Sequence, residues 1–185
     1  MRYGDPYETI VISKTLINRT LDKLKSEKFK MSTGKTLSST NETKRNSNVT
    51  FIDDHVILKE FLDVTKRINN NASWNFNIDT IEPLQYGEYN QTQEYGWHVD
   101  QHNKPYSDGK VRKISFSIFL NDDYTGGEFD LELHSPSVKN RYETFSKLPL
   151  NTALFFQSDY WHRVRPVTKG VRKSLVGWVL GPEFR

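Results

Sequence analysis

Arg112-Lys113-Ile114-Ser115-Phe116-Ser117-Ile118-Phe119-Leu120 is the stretch that decides the fold class. Ile114, Phe116 and Ile118 alternate with Ser115 and Ser117. Side chains of a strand point to opposite faces in turn, so this segment reads as a strand with one apolar face. Working outward, the same period of two recurs in short aromatic and β-branched runs. These lie at 75–81, 84–89 and 95–100 upstream, and at 127–133, 152–157, 161–167 and 172–180 downstream. Turn residues separate them: Ser107-Asp108-Gly109, Asn121-Asp122-Asp123-Tyr124-Thr125-Gly126-Gly127 and Thr168-Lys169-Gly170. Seven or eight short strands at this spacing predict a β-sandwich or a double-sheet jelly roll. No helical pattern lies between them, which argues against a parallel βαβ sheet.

The N-terminal part differs. Leu16, Ile17, Leu21 and Leu24 fall at near-helical spacing and predict a helix over 14–30. Residues 32–50 contain 12 Ser, Thr or Asn in 19 positions, the composition of a loop long enough to act as a lid. Asp53-Asp54 then precede Val56, Ile57, Phe61, Leu62, Val64 and Ile68, which predicts a capped amphipathic helix ending near Asn69-Asn70-Asn71. The expected organisation is one domain over 1–185. Its helical and loop part covers about 1–72, and its jelly-roll core about 74–182.

With 185 residues the chain is long enough for a real core. Aromatics make up 13% and offset an apolar fraction of only 35%, which argues against global disorder. Cysteine is absent, so disulfides, Cys-zinc sites and Cys nucleophiles are excluded. No apolar run reaches the length of a transmembrane helix. Met1 leads into Arg2-Tyr3-Gly4-Asp5-Pro6, which is no secretory h-region. A cytoplasmic location is expected, the host cytoplasm for a phage-encoded chain. The five Asn-x-Ser/Thr triplets starting at Asn18, Asn41, Asn48, Asn71 and Asn90 then reflect composition, not glycosylation. A net charge of +3 is too small to imply a nucleic acid or a membrane partner.

The chemistry begins at His98-Val99-Asp100. If 95–100 is a strand, His98 and Asp100 share a face and Trp97 and Val99 take the other. His162 follows in Tyr160-Trp161-His162-Arg163-Val164. Two imidazoles and a carboxylate on one sheet face can hold three adjacent positions of a metal and leave the others open, the donor set of non-haem Fe(II) oxygen chemistry. Trp97 and Trp161 each precede a ligand and are expected to pack away from the metal. His55, His102 and His134 lack comparable partners and read as ordinary. Ten residues after His162 comes Arg172, then Trp178. With a turn at Lys169-Gly170, segments 161–167 and 172–180 are expected to form a hairpin that sets the Arg172 guanidinium beside the metal. A buried guanidinium needs an anion, and its fork of donors fits a carboxylate.

These segments resemble the Fe(II)/2-oxoglutarate-dependent dioxygenases of the prolyl 4-hydroxylase type, in particular the microbial and phage PKHD-type hydroxylases. The resemblance rests on Arg45-x-Ser47, Trp74-Asn75-Phe76, Glu82-x-x-Gln85-x-x-Glu88-Tyr89 and Tyr95-Gly96-Trp97-His98-Val99-Asp100. It continues through Arg112-Lys113-Ile114-Ser115, Asp122-Asp123-Tyr124-x-Gly126-Gly127-Glu128 and His162-Arg163-Val164-x-Pro166-Val167-Thr168-x-Gly170-x-Arg172. It implies a double-stranded β-helix with N-terminal helices packed on one sheet. His98, Asp100 and His162 would hold Fe(II), with no catalytic side chain beyond them. Arg172 would bind the distal carboxylate of the cosubstrate 2-oxoglutarate and Tyr89 would hydrogen-bond it. Tyr95, Arg112 and Trp178 match positions around the target residue. O2 is the oxidant, with ascorbate as a candidate reductant. Phe119 departs from relatives that place a tyrosine there to help hold the carboxylate; Ser115 or Ser117 is the candidate replacement.

The resemblance implies hydroxylation of an aliphatic carbon, foremost peptidyl proline, with release of succinate and CO2. The stretches 32–50 and 101–111 would be lids. Other readings are an oxygenase of a free amino acid, a small metabolite or a nucleobase, a non-catalytic jelly-roll binding module, and a zinc hydrolase. A peptide or protein substrate is expected, with a small molecule as the alternative. Nucleic acid is not, because the basic residues are scattered and form no stripe.

Overall fold

The structure is a computed structural model that describes residues 5–26, 32–33, 45–133 and 141–183. Residues 34–44 of the expected 32–50 lid, and His134, lie outside the described residues.

Two antiparallel sheets face each other. The larger has eight strands. Its path runs Tyr7–Val11, Thr152–Gln157, Lys110–Phe119, Arg172–Pro182, Leu84–Tyr89, Asn48–Ile52 and Ser32–Thr33, with Thr80–Ile81 pairing off Arg172–Pro182. The smaller has five, in the order Tyr142–Phe145, Phe129–Glu132, His162–Val164, Glu94–His98 and Arg45–Asn46. This is the double-stranded β-helix, and the alternation read at 112–120 sets its layers. Ile114, Phe116 and Ile118 join the core under the helices, whereas Phe119 joins a second core between the sheets.

Helix α1 (Lys14–Ser26) and helix α2 (His55–Asn71) cover the outer face of the larger sheet. The Asp54 carboxylate caps α2 by accepting from the N–H of Val56 at 3.1 Å and Ile57 at 3.2 Å, which satisfies two of the helix's open donors. Phe61 of α2 is fully buried and stacks on Phe116 at 5.6 Å. Gly177, the cross-strand partner of Phe116 in the same sheet, leaves the space that the Phe116 ring takes, since a Cβ there would meet the ring at 2.2 Å. At the end of α2 the Asn69 side chain bonds both the N–H (3.0 Å) and the carbonyl (2.9 Å) of Phe76, which ties down the chain as it leaves the helix.

Several expectations need correction. The run 75–81 is a strand only at Thr80–Ile81; Asn75 has φ of +54°, outside any strand conformation. The strand expected at 95–100 is Glu94–His98, so Asp100 lies beyond its end. The hairpin expected between 161–167 and 172–180 does not form. His162–Val164 belongs to the smaller sheet, and Arg172–Pro182 is central in the larger. Between them Val167–Lys169 pairs with Thr125–Gly126, so the turn at Gly170 carries the chain across the sandwich instead of back along one sheet. Strands Tyr7–Val11 and Tyr142–Phe145 carry no strong sequence signal. Both are edges, and much of their surface is exposed.

Candidate metal centre and anion pocket

His98 and His162 are direct partners in the antiparallel ladder of the smaller sheet, with ring centroids 4.1 Å apart. Each ring is oriented by its own main chain. His98 Nδ1 lies 2.8 Å from the Gly96 carbonyl, and His162 Nδ1 lies 3.0 Å from the Tyr160 carbonyl. A carbonyl only accepts, so Nδ1 carries the proton in both and Nε2 carries the lone pair. Both Nε2 atoms face Asp100: 3.8 Å from His98 to Oδ1 and 3.5 Å from His162 to Oδ2. The ligand atoms of the three residues lie within 4.8 Å of one another, and all three are buried.

Asp100 reaches this position from a bend, not from a strand face. Its N–H and that of Gln101 both donate to the Ser158 carbonyl, at 3.0 and 2.9 Å. Burial pushes its carboxyl up, but His162, His98, Arg112 and the Ser115 hydroxyl outweigh burial and hold it at about 2. Two imidazole Nε2 atoms and a carboxylate are therefore presented together, a donor set that fits a divalent first-row metal.

Around the histidines the interior is aromatic. Tyr95 stacks on His98 at 3.5 Å between centroids, and Phe129 and Phe156 pack on His162 at 5.5 and 4.7 Å. The same inner cluster contains Tyr89 and Phe119. Against these two rings lies Arg172, its guanidinium carbon 5.5 Å from the Tyr89 centroid and 5.2 Å from that of Phe119. Arg172 is 1% exposed, and its Nε and Nη2 have no hydrogen-bond partner among the described residues. A charged donor left so costs more than the 1–3 kcal/mol of a neutral one, so the pocket is built for an anion.

Trp178 is buried too, and its Nε1 has no hydrogen-bond partner among the described residues. Arg112 covers its indole at 4.1 Å. Arg112 donates to the Glu82 carboxylate from Nε at 2.8 Å and from Nη2 at 2.5 Å, and from Nη1 to the Asp100 carbonyl at 3.3 Å. Tyr106 donates to the same Glu82 at 2.9 Å. Three of the five N–H donors of Arg112 are thus committed to the fold. Ser115, one candidate replacement for the missing phenol at Phe119, bonds the Ser158 hydroxyl at 2.9 Å instead.

Trp97 packs off the metal face, against Tyr142 at 5.5 Å and under Arg163 at 4.8 Å. Trp161 does not pack as expected; it is 45% exposed. His102 sits in the loop between Asp100 and Arg112, edge-on to Tyr106 at 5.5 Å. Sequence reasoning passed over the bracing roles of Ser158 and Glu82. The signal available for Glu82 was its place in the Glu82-x-x-Gln85-x-x-Glu88-Tyr89 segment; Ser158 had none.

Two imidazoles, a carboxylate and an orphaned guanidinium inside a double-stranded β-helix define a non-haem iron oxygenase class. The sequence model of the 2OG-Fe(II) oxygenase superfamily matches residues 84–180, and the chain belongs to that superfamily. Fe(II), 2-oxoglutarate and O2 are the reagents of that family. The chain is 39% identical over 87 residues to a PKHD-type hydroxylase of Synechococcus sp. (strain CC9902), a match over 46% of this chain and 35% of that one. It is 26% identical over 174 residues to a PKHD-type hydroxylase of Prochlorococcus marinus (strain NATL2A), covering 91% and 75%. In the first of these the match spans little more than a third of the relative's length.

Among solved structures, the viral collagen prolyl hydroxylase of Paramecium Bursaria Chlorella virus-1, in its 2OG complex, superposes with a TM-score of 0.67. It shares 18% identity and is covered over 97% of its chain and 96% of this one. A Trichoplax adhaerens prolyl hydroxylase, in complex with a peptide fragment of hypoxia inducible factor, gives 0.69 at 19% identity over 94% of this chain and 83% of that one. At these identities the likeness is one of fold.

Proposed function

We propose that the chain, as a single catalytic domain over 1–185, is an Fe(II)- and 2-oxoglutarate-dependent dioxygenase that hydroxylates an aliphatic carbon, foremost of peptidyl proline, with release of succinate and CO2. The observation that carries the reading is Arg172, a fully buried guanidinium with Nε and Nη2 unsatisfied, in the same interior as the His98, Asp100 and His162 cluster. A zinc hydrolase would give that guanidinium no role, and the full set of His98, Asp100, His162 and Arg172 argues against a non-catalytic binding module.

In this reading His98, Asp100 and His162 hold Fe(II), and Arg172 holds the distal carboxylate of 2-oxoglutarate in a charge-assisted fork. When bound, the iron supplies the activation of O2, coupled to oxidative decarboxylation of the cosubstrate. The protein's part is placement. The Gly96 and Tyr160 carbonyls fix the tautomers of the two histidines. Tyr89 lies over the Arg172 guanidinium, where its hydroxyl hydrogen-bonds the cosubstrate. Phe119, Phe129, Leu131 and Phe156 keep water from the interior, which strengthens every charge interaction there. Tyr95 and Trp178 wall the side of Asp100 where the substrate lies. No other side chain is asked to move a proton. Ascorbate is the candidate external reductant.

Structural neighbours named as prolyl hydroxylases, one of them holding a peptide, support a peptide substrate. One observation favours a second reading, a free amino acid or a small metabolite. Arg112 gives three of its five N–H donors to Glu82 and the Asp100 carbonyl, which leaves a reduced fork for a peptide backbone. The test is succinate formation from 2-oxoglutarate with Fe(II), scanned over proline-containing peptides, free amino acids and nucleic acids. A product heavier by one oxygen from the peptides supports the prolyl reading. Efficient oxidation of a small molecule alone supports the second. No succinate with any substrate refutes the oxygenase reading.

A further inference from the structure

We infer that Phe51 forms a specificity subsite for an apolar side chain of an extended peptide, about three residues from the residue that is oxidised; this rests on the oxygenase reading above and makes a peptide its substrate class. In the strand Asn48–Ile52, Val49, Thr50 and Ile52 are buried and Asn48 is partly so, whereas Phe51 is 48% exposed. That exposure is unexpected on its face of the sheet. Val49 and Phe51 are two apart in a strand, so they point to the same side. Val49 lies on the side that faces the smaller sheet: a Cβ on its partner Gly87 would meet both Val49 Cγ1 and the ring of Tyr89, a member of the inner cluster, at 3.9 Å. Ile52 takes the opposite side, in the core under the helices. Phe51 is thus an aromatic ring half in water on the inner face of a sandwich.

The cross-strand register shows where that ring leads. Phe51 pairs with Gln85, Gln85 with Val176, Val176 with Ser117 and Ser117 with Leu154, one row across the inner face. Gln85, Ser117 and Leu154 are buried, but Val176 is only partly so, although its strand is central in the sheet. The neighbouring inner row, Val49, Gly87, Ser174 and Phe119, is buried throughout. On the other side of the row comes Trp178, on the same face as Val176 and also buried. Arg112 covers its indole and donates to the Asp100 carbonyl. The accessible row therefore runs from Phe51 at the edge to Val176 in the interior, beside the residues that lead to the metal cluster.

The spacing selects the occupant. Neighbouring strands lie about 4.8 Å apart, so Phe51 is about 10 Å from Val176, two strands away. An extended chain advances about 3.3 Å per residue and covers that distance in about three residues. A free amino acid oxidised at the inner end does not reach Phe51; a peptide does. The row carries no charged side chain, so it discriminates by apolar contact and not by charge. An apolar side chain laid on the ring removes apolar surface of both from water.

The experiment measures kcat/KM for succinate formation by the full chain with Fe(II) and 2-oxoglutarate. The probes are capped peptides of glycine with a central proline, in which one leucine is walked through every other position. Leucine about three residues from the proline, on one side of it, should raise kcat/KM about tenfold over the peptide without leucine, and leucine elsewhere should raise it less. Phe51→Ala should bring that ratio back toward one. Phe51→Lys, at a position exposed enough to carry a charge, should move the preference at the same place from leucine to glutamate. A packing role for Phe51 within the chain or against a second copy would instead lower the thermal midpoint of Phe51→Ala and slow every peptide by one factor, with the leucine ratio unchanged. That result overturns the subsite, and so does an unaltered chain that ignores leucine at every position. If no peptide yields succinate while a free amino acid or metabolite does, the peptide substrate itself falls, a different result from peptide turnover that ignores Phe51.

Discussion

Gly127 makes room for Arg172. At φ of +66° it leaves a gap that the arginine stem fills, and a Cβ placed there would lie 3.0 Å from Arg172 Cδ and 3.0 Å from Val167 Cγ2. Gly127→Ala combines that contact with a left-handed backbone that costs a non-glycine residue about 1–2 kcal/mol. The Arg172 stem must shift, and the affinity for 2-oxoglutarate should fall about five- to tenfold, which is about 1–1.4 kcal/mol. Titration of 2-oxoglutarate against thermal stability reads this directly; an unchanged dissociation constant refutes it.

Removing the guanidinium itself should do far more. Breaking one side of a buried charge pair costs about 3–5 kcal/mol, so Arg172→Ala should raise the 2-oxoglutarate requirement on the order of 10²–10⁴-fold. Tyr89→Phe should cost about 0.5–1.5 kcal/mol, the worth of one hydrogen bond. Steady-state kinetics in 2-oxoglutarate separates the two, and equal effects would contradict the roles given to them.

His98→Ala deletes one metal ligand, together with the stacking partner of Tyr95. Metal-dependent succinate formation should disappear while the far-ultraviolet circular dichroism keeps its β-sheet form. Retained activity with Fe(II) would remove His98 from the centre.

Asp130 offers a prediction in pH. It is fully buried on the outer side of the smaller sheet, 2.7 Å from Arg163 Nε and 2.8 Å from Arg165 Nε, with Thr144 donating at 2.7 Å. Burial alone would push its carboxyl up; Arg165, Thr144 and Arg163 together hold it below 3.8. A carboxyl lowered by folding contributes stability that is present above 3.8 and is lost as pH falls through the lower folded value. Asp130→Asn should therefore destabilise the protein at neutral pH by about 2–3 kcal/mol, less than a fully buried pair because both guanidiniums remain about a third exposed. The gap to the unaltered protein should narrow below about pH 4. Urea unfolding at pH 7 and pH 3 checks both parts, and a gap that widens in acid would reverse the sign.

The sequence carried the fold where burial is one-sided. Ile114, Phe116 and Ile118 announce their face because the opposite face of the strand is lined by serines, and Asp54 announces α2 because only a side-chain acceptor closes that end. Edge strands such as Tyr7–Val11 were illegible, since exposed positions need no pattern. The metal cluster was legible from His98, Asp100 and His162, although for Asp100 the reason given was incomplete. A strand face was expected to aim it, and a main-chain bracket at Ser158 does so. Ser158 could not have been found this way, because its partners are tens of residues distant and hydroxyl spacing follows no period. The expected hairpin failed for a related reason: a turn residue such as Gly170 marks a change of direction, not which sheet the chain enters next.

That crossing has a consequence for selectivity. His162 stands in one sheet and Arg172 in the other, and facing sheets keep a separation of about 10 Å set by the side chains between them. A diacid that touches both must stretch across that gap, so the sandwich works as a caliper on carbon-chain length. The jaws are held apart by Phe129, Leu131, Phe156 and Phe119, and three of these rings also pack on the two ends: Phe119 on Arg172, and Phe129 and Phe156 on His162. Trimming or enlarging those spacers would reset the gauge and loosen its ends together.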